Sequence, residues 1–387
     1  VLLELNPEQK ADRDSFSDFA DREIIPFAKQ FDEEERISPA LIRTLARDGL
    51  LSLALPREWG GGGRDMITYG LLHEQIGRGC SSVRSLLTVH GMVGRALAKW
   101  GDRRQKEYWL PRLASGEMIA AFGLTEAGAG SEAQRIQAEA KPSGDSFILN
   151  GEKKWISFGQ IANLFLIFAK CNEKPVALLV ERDSPGVSIK PVRGLLGTRA
   201  SMLADVRMDR CHVPGENVVG KVGFGLSHVA SCALDEGRYS VAWGCVGIIQ
   251  ACLDACLDYS HKRAQFGALL KDHQLIRQMI TDMITDLSAA RLLCYQAGYY
   301  KDTRHPDAIV STLIAKYFAS TSATKSANNA VQLHGANGCS GDYPVQRYLR
   351  DARVMEVIEG STQIQQSTIS EFYRPRVKAL SEVPALG

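Results

Sequence analysis

The sequence lacks most of the features that mark out whole classes of function. It has no run of five or six like charges, and 46 basic residues nearly cancel 44 acidic ones, leaving a net charge of +2. That balance argues against nucleic acid or a membrane surface as partner. No uninterrupted apolar stretch approaches the ~18–20 residues of a membrane helix. The opening VLLELNPEQK turns polar too early for a signal peptide. The nine cysteines include no CxxC pair, and the eight histidines show no HExxH or other ligand spacing. Cys245, Cys252 and Cys256 share one helical face, as buried thiols do. A reduced, cytoplasmic, metal-free protein is expected.

What is present is an ordinary globular composition, 45% hydrophobic and 23% charged, over 387 residues. That length suggests two to four domains or lobes and a sizeable core. Three textures follow one another, and they predict a mainly α protein with a central β domain.

Residues 1–118 read as an N-terminal helical domain. Ser38-Pro39 forms an N-cap followed by proline at the first helical position. Leu86, Val89, Val93, Leu97 and Trp100 recur near the helical period. Gly60–Gly63 reads as a flexible loop; no strand precedes it, so it is not expected to cradle phosphate.

Residues 119–225 read as a small antiparallel, barrel-like β domain. Asn150-Gly151 has the chemistry of a type I′ hairpin turn, and 164–169, 176–180 and 187–189 read as short strands.

From 226 to 387 the helices are long. Val241, Cys245, Ile248, Cys252 and Tyr259 trace one stripe, and Leu275, Met279, Met283 and Leu287 a second. Pro306 opens a third helix ending near Gly335, and Pro344 a fourth ending near Gly360. Short links between long helices predict a four-helix bundle.

Five motifs stand on this frame in order: Leu124-Thr-Glu-Ala-Gly-Ala-Gly-Ser131-Glu132, Lys154-Trp155-Ile156-Ser157, Arg263-Ala-Gln-Phe266-Gly267 followed by His273-Gln274, Gln332-Leu-His-Gly335-Ala336-Asn-Gly338, and Glu359-Gly-Ser-Thr-Gln363-Ile-Gln365. Over nearly its whole length the chain resembles the acyl-CoA dehydrogenase family. Its motifs are similar to that family's TEPGAGSD, KxWIT, RxxFG…HQ, QxxGGxG and EGTxxIQ segments, with Ala127, Glu132, Ser157 and Ala336 as departures.

The resemblance implies FAD, because no protein side chain accepts hydride and a flavin does. It places Phe122, Leu124, Thr125, Ser131, Trp155 and Ser157 beside the flavin ring or ribityl chain. Arg263, Phe266, Gln274, Gln332, Gly335 and Ala336 would meet the pyrophosphate and adenosine bound to a neighbouring subunit, and Ser361 and Gln363 complete the cofactor set. A homodimer or tetramer is implied, as is an electron-transfer flavoprotein or another electron acceptor.

Glu359 is the implied catalytic base for the α-proton of an acyl thioester. It precedes Gly360, which permits a sharp turn, and Thr362 stands three before Gln365 in capping-box spacing. Sealed from water, its carboxyl should rise from ~4.3 toward ~6–7, where a base at neutral pH works. Some family members carry the base on another helix, in an LDxER-like segment. Here that segment is Leu234-Asp235-Glu236-Gly237-Arg238, with glycine at the base position. Asp235 and Arg238 would sit near the thioester's carrier arm, or else form an ion pair on the bundle surface.

Arg84 and Thr88, four apart, share a helical face in the segment that lines the family's acyl pocket. Glutaryl-CoA dehydrogenases place an arginine and a serine about here to hold a distal carboxylate. Arg84 is either such a reader or a surface charge. A short, polar acyl group follows from the first reading, carried on CoA or on acyl carrier protein. Gln366-Ser-Thr-Ile-Ser370-Glu371, where many CoA-using relatives have arginines, and Ile358, at a common tyrosine position, leave the carrier open. The resemblance extends to the acyl-carrier-protein dehydrogenases of methoxymalonyl (polyketide extender-unit) biosynthesis. The alternatives are a glutaryl-CoA-type dehydrogenase, a flavin oxidase or monooxygenase on the same fold, and a binding scaffold that has lost its chemistry.

Overall fold

The computed structural model describes residues 4–381, with side chains described to residue 373. The N-terminal third is helical: α1 (Pro7–Phe19), α2 (Ala28–Glu34), α3 (Pro39–Arg47), α4 (Met66–Gly79), α5 (Ser81–Trp100) and α6 (Arg103–Ala114). Ser38 caps α3 as expected, its hydroxyl accepting from the Leu41 amide. Helices α4 and α5 are buried along most of their length and carry the side chains that matter below.

Gly60–Gly63 is a packed turn, not a flexible loop. The amides of Gly61, Gly62 and Gly63 donate to the carbonyls of Pro56, Ser52 and Leu55. A Cβ on Gly61 would lie 2.2 Å from the Leu55 carbonyl oxygen. Glycine is required by close approach, and these amides are already used.

The middle segment is one curled seven-stranded sheet: β1 (Ala120–Gly123), β2 (Glu139–Ser143), β3 (Ser146–Ile156), β4 (Leu164–Cys171), β5 (Lys174–Glu181), β6 (Val187–Pro191) and β7 (Ala204–Pro214). Most pairings are antiparallel, but β4 runs parallel to β1 and touches β2 in parallel at one register. The expected hairpin turn at Asn150-Gly151 is not one. The β2–β3 reversal falls at Gly144-Asp145, where Ser143 pairs with Ser146 and Gly144 sits at φ +60°. Strand β3 continues through Asn150-Gly151 as an irregularity against β7, where the Asn150 side chain accepts from the Arg210 amide. Turn chemistry was spent on a bulge.

The last third holds α7 (Ser231–Lys262), a two-residue ribbon of β8 (Ala264–Gln265) and β9 (Ala268–Leu269), then α8 (Gln274–Asp302), α9 (Ala308–His334), α10 (Val345–Met355) and α11 (Thr362–Ser381). Three long helices and the α10–α11 pair make up the helical body. Helix α10 stops at Met355, a turn short of the expected end. Leu275 does not join its predicted buried stripe and is 72% exposed, whereas Met283 and Leu287 are in the core. Cys245, Cys252 and Cys256 are free, buried thiols, and burial pushes Cys245 and Cys256 up to about 12.

The helical run Gly225–Lys262 is long and apolar enough to cross a membrane, and 78% of its apolar window is buried within the protein. It is the central helix of the core, packed against α4, α5, α8 and α9.

Candidate active site

The site is organised by a left-handed junction between α10 and α11. Glu359 has φ +55° and Gly360 φ +88°. A non-glycine residue in that region costs on the order of 1–3 kcal/mol and persists only where its surroundings hold it. Here three helices supply the hold. Gln365 on α11 donates to the carbonyls of Glu359 at 3.0 Å and Gly360 at 3.2 Å. Arg238 on α7 donates to the Glu359 carbonyl at 3.4 Å. Lys316, fully buried on α9, donates to the Gly360 carbonyl at 2.7 Å. The expected capping box at Thr362 is replaced by another arrangement. The Ser361 hydroxyl accepts from the Ile364 amide, and the Gln365 side chain reaches back to the turn.

The Glu359 carboxyl faces α7 at Gly237. A Cβ there would fall 2.4 Å from Glu359 Oε2 and 2.9 Å from Met92 Sδ. Oε2 is shut from solvent and has no hydrogen-bond partner among the described residues. Burial raises this carboxyl to about 7, against the pull of Arg238, Lys316 and Arg84. Among the described residues the Glu359 amide has no acceptor. The junction therefore presents a poised base beside a free N–H donor.

Arg84 is not a surface charge: it is 1% exposed, deep between α5 and α7. Its Nη1 donates to Thr88 Oγ1 at 2.7 Å and its Nη2 to Ser85 Oγ at 3.1 Å, with Met355 Sδ at 3.5 Å. No carboxylate pairs with it among the described residues. Thr88 Oγ1 lies 2.9 Å from Ser240 Oγ, and Ser240 donates to the Gly237 carbonyl. Arg84, Thr88 and Met92 thus form a stripe on α5 opposite Gly237, Ser240 and Gly244 on α7. Gly244 makes room for the arginine stem, since a Cβ would sit 2.2 Å from Arg84 Cδ.

Asp235 and Arg238 do not pair with each other. Asp235 binds Lys301, while Arg238 lines an open cleft of about 890 Å³. Leu124, Ser131, Gly223, Ser227 and Leu234 line the same cleft, so it runs from the sheet domain toward the Glu359 junction.

The sheet contributes a platform. Lys153 is fully buried, donates to Glu126 at 2.6 Å and to the Leu124 carbonyl at 3.2 Å, and so anchors the loop from Leu124 to Ser131. The amides of Gly128, Gly130 and Ser131 have no acceptor among the described residues, and open space surrounds both glycines. Trp155 stands where the β3–β7 register breaks, with φ +61° and 57% exposure. A strained backbone that holds an aromatic face in the open, beside free amides, fits an aromatic ring system with polar edges and phosphates. Phe122 and Thr125 are half-buried on the same loop side, with Ser157 two residues beyond Trp155.

Most of the remaining cofactor candidates lie at the opposite end of α7; Ser361 and Gln363 stay at the Glu359 junction. Arg263 is 25 residues, roughly 37 Å along the helix, from Arg238. Phe266 tips the β8–β9 ribbon at φ +53° and is 97% exposed. Gln274 opens α8. Gln332, Gly335 and Ala336, at the end of α9, are exposed and share this end, because Asn337 bonds Tyr259 and His334 stacks on it. Ser361 is half-buried and Gln363 exposed at the start of α11.

Residues 6–117, 121–211 and 223–373 match the acyl-CoA dehydrogenase N-terminal, middle and C-terminal domains. The chain belongs to the acyl-CoA dehydrogenase family. It is 34% identical to the mitochondrial short-chain specific acyl-CoA dehydrogenase of Rattus norvegicus, over 95% of this chain and 90% of the relative. Among solved structures, a glutaryl-coenzyme A dehydrogenase in complex with glutaryl-CoA superposes with TM-score 0.92 at 32% identity, covering 97% of each chain. FkbI, for biosynthesis of the methoxymalonyl extender unit of the Fk520 polyketide, superposes with TM-score 0.86 at 30% identity, covering 93% and 98%. As an acyl-CoA dehydrogenase, the protein is an FAD-dependent oxidoreductase acting on CH–CH groups.

Sequence reasoning missed Lys316, Gln365 as a clamp, Met92, Ser240 and the Lys153–Glu126 pair. Lys316 had a signal: it is a lone cation at helical spacing within Thr312, Ala319, Ser320, Ala323 and Ala327, a face of small residues.

Proposed function

We propose that the protein abstracts the α-proton of a short, polar acyl thioester with Glu359. Bound FAD, whose chemistry is to accept the β-hydride, would lie on the platform of Leu124, Thr125, Ser131, Trp155 and Ser157. The Glu359 N–H would polarise the thioester carbonyl, which makes the α-proton acidic enough to leave. Arg238 and the cleft beneath Ser131 would seat the carrier arm.

The observation that carries the polar-acyl reading is Arg84. A fully buried guanidinium without a carboxylate partner is costly in a pocket for plain hydrocarbon. A polar acyl tail would supply what it lacks. FkbI's likeness favours an acyl-carrier-protein thioester in extender-unit biosynthesis. The glutaryl-CoA dehydrogenase likeness, together with the same arginine, supports a decarboxylating glutaryl-CoA-type enzyme as the second reading. A monooxygenase needs no α-proton base, so the buried Glu359 weighs against it. Reduced cofactor would pass electrons to an electron-transfer flavoprotein or another acceptor, and the exposed Phe266 end would close against a second subunit in a dimer or tetramer.

The test compares Glu359→Gln with wild type by stopped-flow flavin reduction. Loss of roughly 10²–10⁴-fold, with FAD and thioester still bound, is expected. Undiminished reduction would put the base elsewhere. Mass spectrometry of thioester retained by the variant would identify acyl group and carrier together.

A further inference from the structure

Arg84 is not the only buried group near the pocket with unmet polarity. Tyr69 and His73 stand one turn apart on α4, ring centroids 4.4 Å apart and edge-on. Both are buried, His73 completely. Among the described residues the Tyr69 hydroxyl, both His73 nitrogens and Arg84 Nε have no hydrogen-bond partner. The Tyr69 hydroxyl abuts α5 one turn beyond Thr88, for a Cβ on Gly91 would lie 2.7 Å from it. The Arg84 charge acts on both residues: it adds to burial in lowering His73 well below the usual imidazole range, and opposes burial at Tyr69. Native cores rarely leave so many polar atoms unpaired, since each costs about 1–3 kcal/mol. Clustered around the tail-reading arginine, they mark a place for a ligand's polar atom.

Their chemistry narrows that atom. A neutral imidazole offers one donor and one acceptor, and a phenol offers both. A carboxylate only accepts, so it would leave the imidazole lone pair unmet. A hydroxyl both donates and accepts. Depth narrows it further. Gly237 touches the base, and Ser240, which joins Thr88, lies three residues on, about 4.5 Å along the helix. Only a few bonds separate the α-carbon from the polar wall.

We propose that Tyr69 and His73 form, with Arg84 and Thr88, a subsite for the hydroxyl of a short hydroxylated acyl group, three or four carbons long. This rests on the polar-acyl reading above and names its chemistry.

The test uses the FAD-loaded enzyme and hydroxybutyryl, succinyl and butyryl thioesters, each on CoA and on carrier protein, with Tyr69→Phe and His73→Gln as variants. Wild type should prefer hydroxybutyryl over butyryl in kcat/KM. Each variant should lower that ratio about ten-fold while moving the succinyl-to-butyryl ratio less than about two-fold. If a variant fails to fold, the other decides. Unchanged ratios in both would mean the wall holds water only, and the subsite would go while the polar-acyl reading stands. Equal loss for succinyl would replace the hydroxyl with a carboxylate. A wild type that prefers butyryl to both polar chains would overturn the polar-acyl reading itself.

Discussion

Glu359-Gly360 and Phe266-Gly267 use one backbone device, two successive left-handed residues with a bulky side chain before glycine. Their surroundings are opposite. At the first, Arg238, Lys316 and Gln365 from three helices bind the two carbonyls, and one carboxyl oxygen is shut from solvent. At the second, the turn closes only a two-residue ribbon, and the phenyl ring stands in the open. Burial raises the carboxyl of the first residue, whereas the ring of the second is left exposed. The same left-handed backbone thus sets one side chain inward and the other outward.

The sharpest way to break the buried half is Gly237→Ala. Its methyl would collide with the Glu359 carboxyl and Met92. Displacing a reacting group by about an ångström costs on the order of 10²-fold. Stopped-flow reduction should fall by about that factor with FAD retained; an unchanged rate would show that the carboxyl has room to move.

The sealed carboxyl should also be visible in stability. Its folded pKa of about 7 lies above its ordinary 4.5, so the native state holds the extra proton between those values. Stability from this group is present at low pH and lost as pH rises through 7, by up to about 3 kcal/mol. Glu359→Gln should therefore gain stability over wild type at pH 8.5 and lose that advantage near pH 5. Denaturant melts with a pH-independent difference would contradict the burial.

Lys316→Met removes a cation that holds Glu359 down. The limb of the flavin-reduction profile should move to higher pH, with roughly ten-fold loss at pH 6.5. Lys316→Arg should keep the wild-type limb. A uniform loss at every pH would reduce Lys316 to a packing role. The smallest effect belongs to the exposed half. Phe266→Ala should change subunit stability by under about 0.5 kcal/mol but weaken FAD retention and assembly, measured by light scattering and flavin release. No change in either would leave the exposed ring without a role at a contact.

Periodicity made the long helices legible, and the order of three textures needed no coordinates. Where reading failed, a local rule met a nonlocal demand. Asn150-Gly151 has turn chemistry, yet β7 pairs on both sides of it and keeps the strand running. Leu275 fits an apolar stripe, but at the start of α8 none of the described helices covers it. Glu359 was legible as a candidate because Glu359-Gly360 sits in a motif. The clamp was not, because Arg238, Lys316 and Gln365 meet only after α7, α9 and α11 pack. Arg84 showed the general limit: a sequence gives its charge, and only packing reveals that no carboxylate came with it.

Before it folds, the chain carries Gly225–Lys262 as a segment that passes for a membrane anchor. On the ribosome that resemblance is a hazard, since targeting machinery reads hydrophobicity before any core exists. Asp235, Glu236 and Arg238 near one end, and Asp254 and Asp258 near the other, shorten the purely apolar stretch. A charge costs roughly 2.5–3.5 kcal/mol only when it reaches the centre of an inserted helix. Arg238 also lines the open cleft, so neutralising it for catalytic studies would at the same time lengthen the apolar stretch of this helix.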